Sequence, residues 1–364
     1  MPVFRYNNIR IAGMASAVPK NIVRPEDFKS QFGDAEVDKF MVMTGIKETR
    51  RTSEFQTASD LGYTAADKLL SQKNIDRNEI GALVFGSTSP DYRRPGTAFV
   101  IHKRLGLSVE TAVFDLGLGC SSFIYGFQVV ASMMNSSDIK KAILIVGDTA
   151  SKTTYPKDRA SIMLVGEGSV AVLMEKCDHC SPIVSLTRSD GNGYRYLIVP
   201  GGGYRNLNAN REPEICADGN ERTLHHSFMQ GTSVFTFTIS DVPKLIKDYL
   251  SITQTSVDNY DSFAFHQANL YILKQIARKV KIPEDKMPIT LGKFGNTSGA
   301  SPVITLCDTY AGTLGKNINA FFCGFGVGLS WGAFSAIINT DDILPVIEDD
   351  SVFEEGIISS VKDL

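Results

Sequence analysis

The strongest chemical signal in the sequence is a cysteine that follows a glycine-rich turn. In Val113-Phe-Asp-Leu-Gly-Leu-Gly-Cys120-Ser-Ser-Phe, a strand pattern leads through Gly117 and Gly119 to Cys120, where a helical pattern begins. The N-terminus of a helix carries free backbone N–H groups and a partial positive charge, both of which favour a thiolate. The pattern therefore predicts that Cys120 is a nucleophile with a lowered pKa, although an average cysteine is simply a small buried side chain.

A cysteine nucleophile needs a proton partner or an acid–base group nearby. His266 is the candidate, because it follows the apolar strand pattern Ser262–Phe265, at the strand end where α/β sheets place ligands. Gly295-Asn-Thr-Ser-Gly299 occupies the matching turn of the next unit, and Asn296 offers an amide donor that does not titrate. We therefore predict that His266 is the base or proton partner and that Asn296 supplies a neutral donor, the alternative for His266 being a strand-end residue bound to a backbone carbonyl.

The remaining cysteines are interpreted as small buried side chains: Cys177, Cys180, Cys216, Cys307 and Cys323. The run Cys177-Asp-His-Cys180 lacks the second pair of ligands that a structural zinc site needs. We predict no metal and no cofactor.

The elements that position these residues follow an α/β pattern, because short apolar runs alternate with helical periods. The first half predicts strands 80–86, 111–116, 141–147 and 168–174 and helices 97–105 and 121–134. The second half predicts strands 262–265, 288–291, 319–322 and 329–339 and helices 270–280 and 301–313.

The spacing of these elements indicates an internal duplication. Cys120 lies 27 residues before Gly147, and Asn296 lies 28 residues before Gly324. Chance alternation within an α/β chain is the alternative. We predict a first half over 1–180, a second half over 181–340 and an acidic extension over 341–364, with a surface segment over 188–222 that binds a ligand or is disordered.

Composition limits the class of protein. Of the 364 residues 43% are hydrophobic, enough for a large core, and 37 basic against 40 acidic residues give no sign of a nucleic-acid binder. Six cysteines and no secretory signal predict a cytoplasmic protein. The uncharged run Ala320–Ile338 contains four glycines, which favours two buried strands joined by a tight turn over a membrane span.

Taken together, these motifs resemble the β-ketoacyl-acyl-carrier-protein synthase III family of thiolase-fold condensing enzymes. The resemblance rests on the cysteine turn, His-Gln-Ala-Asn at 266–269, Gly-Asn-Thr-Ser at 295–298 and Gly-Phe-Gly-Val-Gly-Leu-Ser-Trp-Gly at 324–332. It implies an α/β thiolase-like fold with duplicated halves stacked in five αβαβα layers, and a homodimer. It also implies that Cys120 accepts an acyl group, and that His266 and Asn296 bind a malonyl thioester during decarboxylation and condensation, where both would act as neutral donors to the enolate. The backbone N–H groups of Cys120 and Gly328 would hold the oxyanion of acyl transfer.

The resemblance assigns further residues to substrates and partners. Arg159 matches a residue near the pantetheine entrance, and Asn269 of the His-Gln-Ala-Asn motif is assigned to substrate binding. Arg94 aligns with the side chain that a partner subunit inserts into the acyl pocket. Lys39 and Met43 stand where the family has its adenine-binding tryptophan and arginine. Phe40 is then the remaining ring for stacking on adenine, and the sequence does not decide whether coenzyme A donates the acyl group.

An acyl carrier protein is the expected partner, together with acyl and malonyl thioesters. Its docking surface is expected on the helix after His266, where three basic residues share one face: Lys274, Arg278 and Lys281. Tyr271 replaces the arginine that the family uses there.

Three other functions compete with a condensing enzyme. An acyltransferase of the same fold would pass the acyl group to another acceptor, but such relatives often replace the His or Asn. A non-catalytic carrier-protein or dimerisation partner would have lost Cys120. A nucleotide-dependent oxidoreductase needs a third glycine that Gly117-Leu-Gly-Cys-Ser-Ser lacks.

Overall fold

The computed structural model describes residues 2–363, whose long strands form one six-stranded and one five-stranded sheet. The strands are β1 Phe4–Tyr6, β2 Ile9–Val18, β3 Ile22–Val23, β4 Thr49–Arg50, β5 Ile80–Gly86, β6 Ala112–Leu116, β7 Lys141–Asp148, β8 Gly168–Lys176, β9 Ile183–Ser189, β10 Leu197–Ile198, β11 Glu214–Ile215, β12 Glu221–Arg222, β13 Phe228–Met229, β14 Ser262–Phe265, β15 Asn317–Gly326, β16 Ser330–Asn339 and β17 Ile347–Glu348. The helices are α1 Lys29–Phe32, α2 Asp34–Thr44, α3 Ala58–Gln72, α4 Thr97–Leu105, α5 Ser122–Asn135, α6 Gly231–Thr253, α7 Leu270–Val280, α8 Leu291–Phe294 and α9 Ser301–Tyr310.

Three apolar clusters show how the layers stack. The central cluster joins α5 and α9 to the facing sides of both sheets, with Phe127 stacked on Phe334 of β16 at 4.0 Å between ring centroids. A second cluster packs α6 and α7 on the outer side of the five-stranded sheet. A third packs α3 and α4 on the outer side of the six-stranded sheet. The predicted five αβαβα layers are confirmed.

The order of the strands repeats between the sheets. The six-stranded sheet runs β17-β2-β8-β7-β5-β6, and the five-stranded sheet runs β1-β9-β16-β15-β14. In each, a parallel pair (β5 with β7, β14 with β15) is followed by an antiparallel partner (β8 or β16). This arrangement supports the predicted duplication. The division at residue 180 stays a prediction, since β1 lies in the second sheet and β17 in the first.

The predicted strand over 288–291 is wrong. In the second half it would have been the counterpart of β6. Pro288 has no N–H to give to a ladder, and the Gln267 side chain binds the other backbone groups of this segment. Gln267 Nε2 donates to the Pro288 carbonyl at 3.5 Å, and Gln267 Oε1 accepts from the Thr290 N–H at 3.1 Å. Helix α8 begins directly afterwards at Leu291.

Two other predictions concerned unusual segments. Ala320–Ile338 forms most of the antiparallel pair β15–β16, as predicted, and no helix within residues 2–363 is long and apolar enough to cross a membrane. Cys177 and Cys180 were expected to be buried; they are instead half-buried in a turn after β8 and are disulfide-bonded to each other.

The described part of the acidic extension, residues 341–363, folds back onto the first half. Strand β17 pairs in parallel with β2, and Glu348 Oε1 receives a hydrogen bond from Arg50 at 2.7 Å. Asp342 pairs with Lys73, and Glu355 pairs with Lys103. The extension therefore neutralises cations of the body, which accounts for part of its acidic composition.

Candidate active site

The structure brings Cys120, His266 and Asn296 into the lining of one cavity of about 480 Å³. Cys120 follows strand β6, His266 follows strand β14, and Asn296 follows the short helix α8. The ends of these three elements meet at the cavity.

Cys120 lies immediately before α5, as predicted, but its surroundings change its acidity. Burial raises the pKa of the thiol to about 11, and the nearby Asp148 carboxyl adds to the rise. Contacts with the Ser298 hydroxyl and with backbone N–H groups oppose this rise without cancelling it. The predicted lowering is therefore wrong, because loss of hydration outweighs the helix terminus, and the resting thiol is neutral near pH 7.

The glycines around Cys120 have different roles. A Cβ on Gly326 would lie 2.6 Å from Cys120 Cβ and 2.9 Å from its Sγ, so a glycine is required where β15 ends against the nucleophile. A Cβ on Gly119 would meet Val327 Cγ1 at 3.1 Å, which is also tight. Among the described residues, no heavy atom outside its chain neighbours lies within 4 Å of a Cβ built on Gly117. Close packing therefore does not explain that glycine.

The turn after β15 lies against Cys120 through a different residue than the sequence indicates. The backbone N–H groups that contact Cys120 Sγ and lower its pKa are those of Val327 and Cys120 itself. The Ser330 hydroxyl holds this turn by donating to the Val327 carbonyl at 2.6 Å. These contacts place the Val327 N–H beside Sγ, and the assignment of the Gly328 N–H to the oxyanion stays a prediction.

His266 is buried, with 3% of its surface exposed, and its ring orientation is fixed. Its Nδ1 lies 2.9 Å from the Ser298 carbonyl oxygen, which can only accept a hydrogen bond, so Nδ1 carries the hydrogen. Burial lowers the pKa of His266 to about 4, and the ring is neutral near pH 7. Nε2 of the resting ring is consequently an acceptor, and the expectation of a neutral imidazole donor at this edge is wrong.

Asn296 is held by its backbone and keeps part of its amide for a ligand. Its N–H donates to the Leu164 carbonyl at 3.0 Å, and its Oδ1 accepts from the Ser298 N–H at 3.0 Å. Nδ2 makes one long contact of 3.4 Å with the Ala268 carbonyl. Because a carboxamide nitrogen has two hydrogens, Asn296 retains a neutral donor for the cavity.

The walls of the cavity are mainly apolar and come partly from segments without a clear sequence pattern. Leu197 of β10 and Met229 of β13 line it, and so does the first turn of α6 with Val234 and Phe235. Strand β10 lies within the predicted surface segment 188–222, and β13 and α6 come after it. Position therefore supports a ligand-binding role for that segment. At the mouth, the half-exposed Tyr271 ring stacks on Phe235 at 5.6 Å.

The other predicted substrate-binding residues lie at varied distances from this cavity. Asn269 lines it, with its Oδ1 capping α7 through the Ile272 N–H at 2.8 Å. Arg159 is exposed and pairs with Glu36 at 3.1 Å, outside the cavity lining. Two more residues lie elsewhere: Phe40 is half-buried against the core beneath α2, and Arg94 is exposed beside Tyr204.

The three predicted carrier-protein residues form one exposed group beside the cavity. Lys274 and Arg278 lie on α7 and line a separate surface groove of about 430 Å³, whose apolar residues include Ile282, Met287 and Ile289. Lys281 lies just past the end of the helix and is exposed. Within residues 2–363, no group of three or more His, Cys, Asp or Glu side chains is arranged to hold a metal ion.

Comparison with known proteins identifies close relatives over most of the chain. A family model described as 3-oxoacyl-[acyl-carrier-protein (ACP)] synthase III matches residues 114–191, and its C-terminal counterpart matches residues 250–337. The chain is 31% identical over 328 residues to a β-ketoacyl-[acyl-carrier-protein] synthase III of Clostridium perfringens, covering 90% of this chain and 98% of the relative. The enzyme of the same name from Caldanaerobacter subterraneus is 30% identical over 325 residues, covering 89% and 96%.

A solved structure agrees with the model over nearly its whole length. The crystal structure of a 3-oxoacyl-(acyl-carrier protein) synthase from Burkholderia xenovorans LB400 has a TM-score of 0.90 and 32% identity, covering 96% of this chain and 99% of that chain.

Proposed function

Because this chain belongs to the 3-oxoacyl-[acyl-carrier-protein] synthase III family of thiolase-fold condensing enzymes, we propose that its chemistry is carried by Cys120, His266 and Asn296. Cys120 accepts an acyl group from a primer thioester, and the other two serve decarboxylative condensation with a malonyl thioester. The observation that carries this proposal is that all three side chains line one largely apolar cavity.

The first half-reaction is transthioesterification. Cys120 Sγ loses its proton and attacks the primer carbonyl, the carbon–sulfur bond to the carrier breaks, and the departing carrier sulfur takes up the proton and leaves as a thiol. The oxyanion formed on the way needs preorganised donors. Backbone N–H groups of Cys120 and Val327 are proposed for this role, with Val327 in place of Gly328, because they already contact Sγ.

The second half-reaction creates an enolate as carbon dioxide leaves the malonyl group. Asn296 Nδ2 supplies a neutral donor to the enolate oxygen. His266 supplies a second donor once Nε2 takes up a proton from solvent, which the developing negative charge favours, and the ring gives this proton back to solvent when the enolate is consumed. The hydrogen bond from Nδ1 to Ser298 keeps the ring in place through both states. The enolate carbon then attacks the acyl group on Cys120, and the thiolate is released.

The carrier protein is the partner that best fits the exposed surface, in line with the names of the relatives. Acyl carrier proteins are acidic, and Lys274 and Arg278 flank a groove beside the cavity mouth. Arg159 and Asn269 are proposed to hold the pantetheine arm, and Phe40 to lie beside its outer end. A homodimer in the cytoplasm, in which Arg94 enters the partner's acyl pocket, also remains a proposal.

The docking surface predicts a change in carrier affinity. Reversing the charge at Lys274 and Arg278 to glutamate should raise the KM for carrier-borne substrate about tenfold, and this loss should shrink as salt is added. The matched control is Lys279→Glu on the same helix, whose Nζ donates to the Ile239 carbonyl at 2.8 Å. An unchanged KM in the double variant would show that the basic face is merely solvated.

The identity of the primer is tested by comparing acyl groups on different carriers. The same experiment tests the proposed function. Met43 and Lys39 offer no stacking ring or forked donor for adenine, and a charged Arg94 disfavours a plain alkyl chain. Acetyl, hydroxyacyl and octanoyl groups are offered on coenzyme A and on carrier protein, with Cys120 acylation as the readout. We expect carrier-borne short or polar groups to react fastest.

Two outcomes separate the parts of this prediction. If octanoyl-coenzyme A reacts fastest, both the donor and the primer preference are wrong. The pair Arg94→Ala and Arg93→Ala isolates the arginine, because Arg93 is its neighbour and donates to the Gly202 carbonyl at 3.2 Å. Only Arg94→Ala should relax the preference for polar primers.

A further inference from the structure

A buried ion pair joins two segments that line the active-site cavity, and it has no part in the reaction described above. Arg222 of β12 is 3% exposed and Asp158 is 0% exposed. Arg222 Nε donates to Asp158 Oδ2 at 2.8 Å, and Arg222 Nη2 donates to Asp158 Oδ1 at 3.0 Å. A pair with two parallel hydrogen bonds fixes both the distance and the orientation of its partners. It therefore fixes the two segments that contribute it.

The first of these segments, here called the wall segment, covers residues 197–229. Its end strands β10 and β13 pair with each other, with Leu197 opposite Met229, and both of these residues line the cavity. The Arg222 guanidinium lies over the ring of Phe228, 5.5 Å from the ring centroid. Because Phe228 directly precedes Met229, Arg222 holds the strand that carries a lining residue.

The second segment, here called the turn segment, covers residues 153–164 and contains Asp158. The Asp158 carbonyl accepts from the Ile162 N–H at 2.9 Å, and Leu164 at the end of the segment lines the cavity. Arg159, which is proposed above to hold the pantetheine arm, follows Asp158 directly. The position of Asp158 therefore bears on another part of the cavity lining and on a proposed substrate contact.

Other contacts between the wall segment and the turn segment are less buried. Tyr155 Oη donates to Glu221 at 2.6 Å, and both side chains are half-buried. Arg222 also donates to Asp218, at 3.0 and 2.9 Å, but the Asp218 side chain is 41% exposed. Water competes for such exposed contacts, whereas the pair with Asp158 is shielded from it.

We propose that Arg222 and Asp158 are positioning residues for thioester binding, an inference that rests on the proposed function of this cavity. Their pair keeps the wall segment fixed to the turn segment, so the apolar lining is formed before a thioester enters. Without the pair, each binding event must also order these segments, and that entropic cost weakens binding. Neither residue lines the cavity, so the transfer of the acyl group to Cys120 should be retained once the thioester is bound.

Arg222→Met tests this inference, because methionine keeps an unbranched side chain and removes the ion pair. The probe is acetyl-pantetheine, which contains the arm shared by coenzyme A and carrier protein. Acylation of Cys120 is followed by intact mass over a range of probe concentrations. We expect the half-saturating concentration to rise about tenfold and the maximal rate to stay within about twofold of wild type.

A matched control separates positioning from a general loss of stability. Arg104→Met breaks the pair of Arg104 with Asp60 at 2.7 Å, whose side chains are similarly buried at 8% and 2% exposure and lie outside the cavity lining. Both variants should lower the melting temperature, but only Arg222→Met should raise the half-saturating concentration. An equal rise in both variants, or a lower melting temperature with unchanged kinetics in Arg222→Met, would overturn the inference.

Asp158→Asn is the second variant, and it tests the inference even if Arg222→Met does not fold. Asparagine keeps an acceptor for the Ala160 N–H, which donates to Asp158 Oδ1 at 3.0 Å. It should weaken probe binding as Arg222→Met does, and the double variant should bind no more weakly than the weaker single one. Losses that multiply in the double variant would show that the two residues act separately and would contradict the inference.

Asp218→Asn shows whether the buried or the exposed carboxylate matters. It should change the half-saturating concentration by less than about twofold, since Asp218 is exposed. An effect as large as that of Asp158→Asn would contradict the inference. If wild-type protein forms no adduct on Cys120 with any thioester, the proposed function itself fails. A wild-type adduct with unaltered half-saturation in the Arg222 and Asp158 variants refutes only the positioning role.

Discussion

Replacing Cys120 with serine is expected to abolish acyl-enzyme formation and to lower turnover by on the order of a thousandfold or more. A serine hydroxyl is far less acidic and less nucleophilic than a thiol. The site offers no strongly basic partner for it, since burial holds the pKa of His266 at about 4. Intact mass after incubation with a primer thioester should show one acyl adduct on wild type and none on the variant.

The control is Cys216→Ser, because Cys216 is a free thiol that is also partly exposed. This change lies outside the cavity lining and should leave the adduct in place. An adduct that survives in Cys120→Ser would show that another residue is the nucleophile.

Replacing His266 or Asn296 with alanine is expected to separate the two half-reactions. Each variant should still acylate Cys120, because neither side chain supplies the oxyanion donors of that step. Release of carbon dioxide from a malonyl thioester should fall about a hundredfold or more, since each change removes one donor from the enolate. The acylation rate and the decarboxylation rate are measured on the same preparation.

The control for this pair is His102→Ala on α4, a histidine whose Nε2 contacts the Ser108 carbonyl at 2.9 Å, away from the cavity. It should change neither rate. Decarboxylation near the wild-type rate in both active-site variants would show that the enolate is stabilised elsewhere.

The sequence predicted much of the fold because most elements are apolar runs with clear local ends. Strand β5, helix α4, strand β14 and helix α7 have the predicted bounds. The strand expected over 288–291 failed because Gln267, twenty or more residues earlier, takes up backbone groups of that segment. A local pattern carries no information about such a distant side chain.

Part of the active site was also predictable, because its residues lie beside elements with clear local patterns. Cys120, His266 and Asn296 each follow a recognisable element, and duplicated spacing indicated that they meet. The acidity of Cys120 depends on burial by segments from both halves, which helix position alone cannot give. The cavity walls from β10, β13 and the start of α6 lie within or just after the segment 188–222, which has no periodicity.

The most direct test of the central claim is the product formed from an acyl primer and malonyl-carrier protein. The account predicts a 3-oxoacyl-carrier protein that contains the primer's acyl group, with one carbon dioxide released for each product molecule and none of either from Cys120→Ser. Intact mass of the carrier protein and the released carbon dioxide report both quantities. Transfer of the acyl group to another acceptor while the malonyl group stays intact would contradict the account and identify an acyltransferase instead.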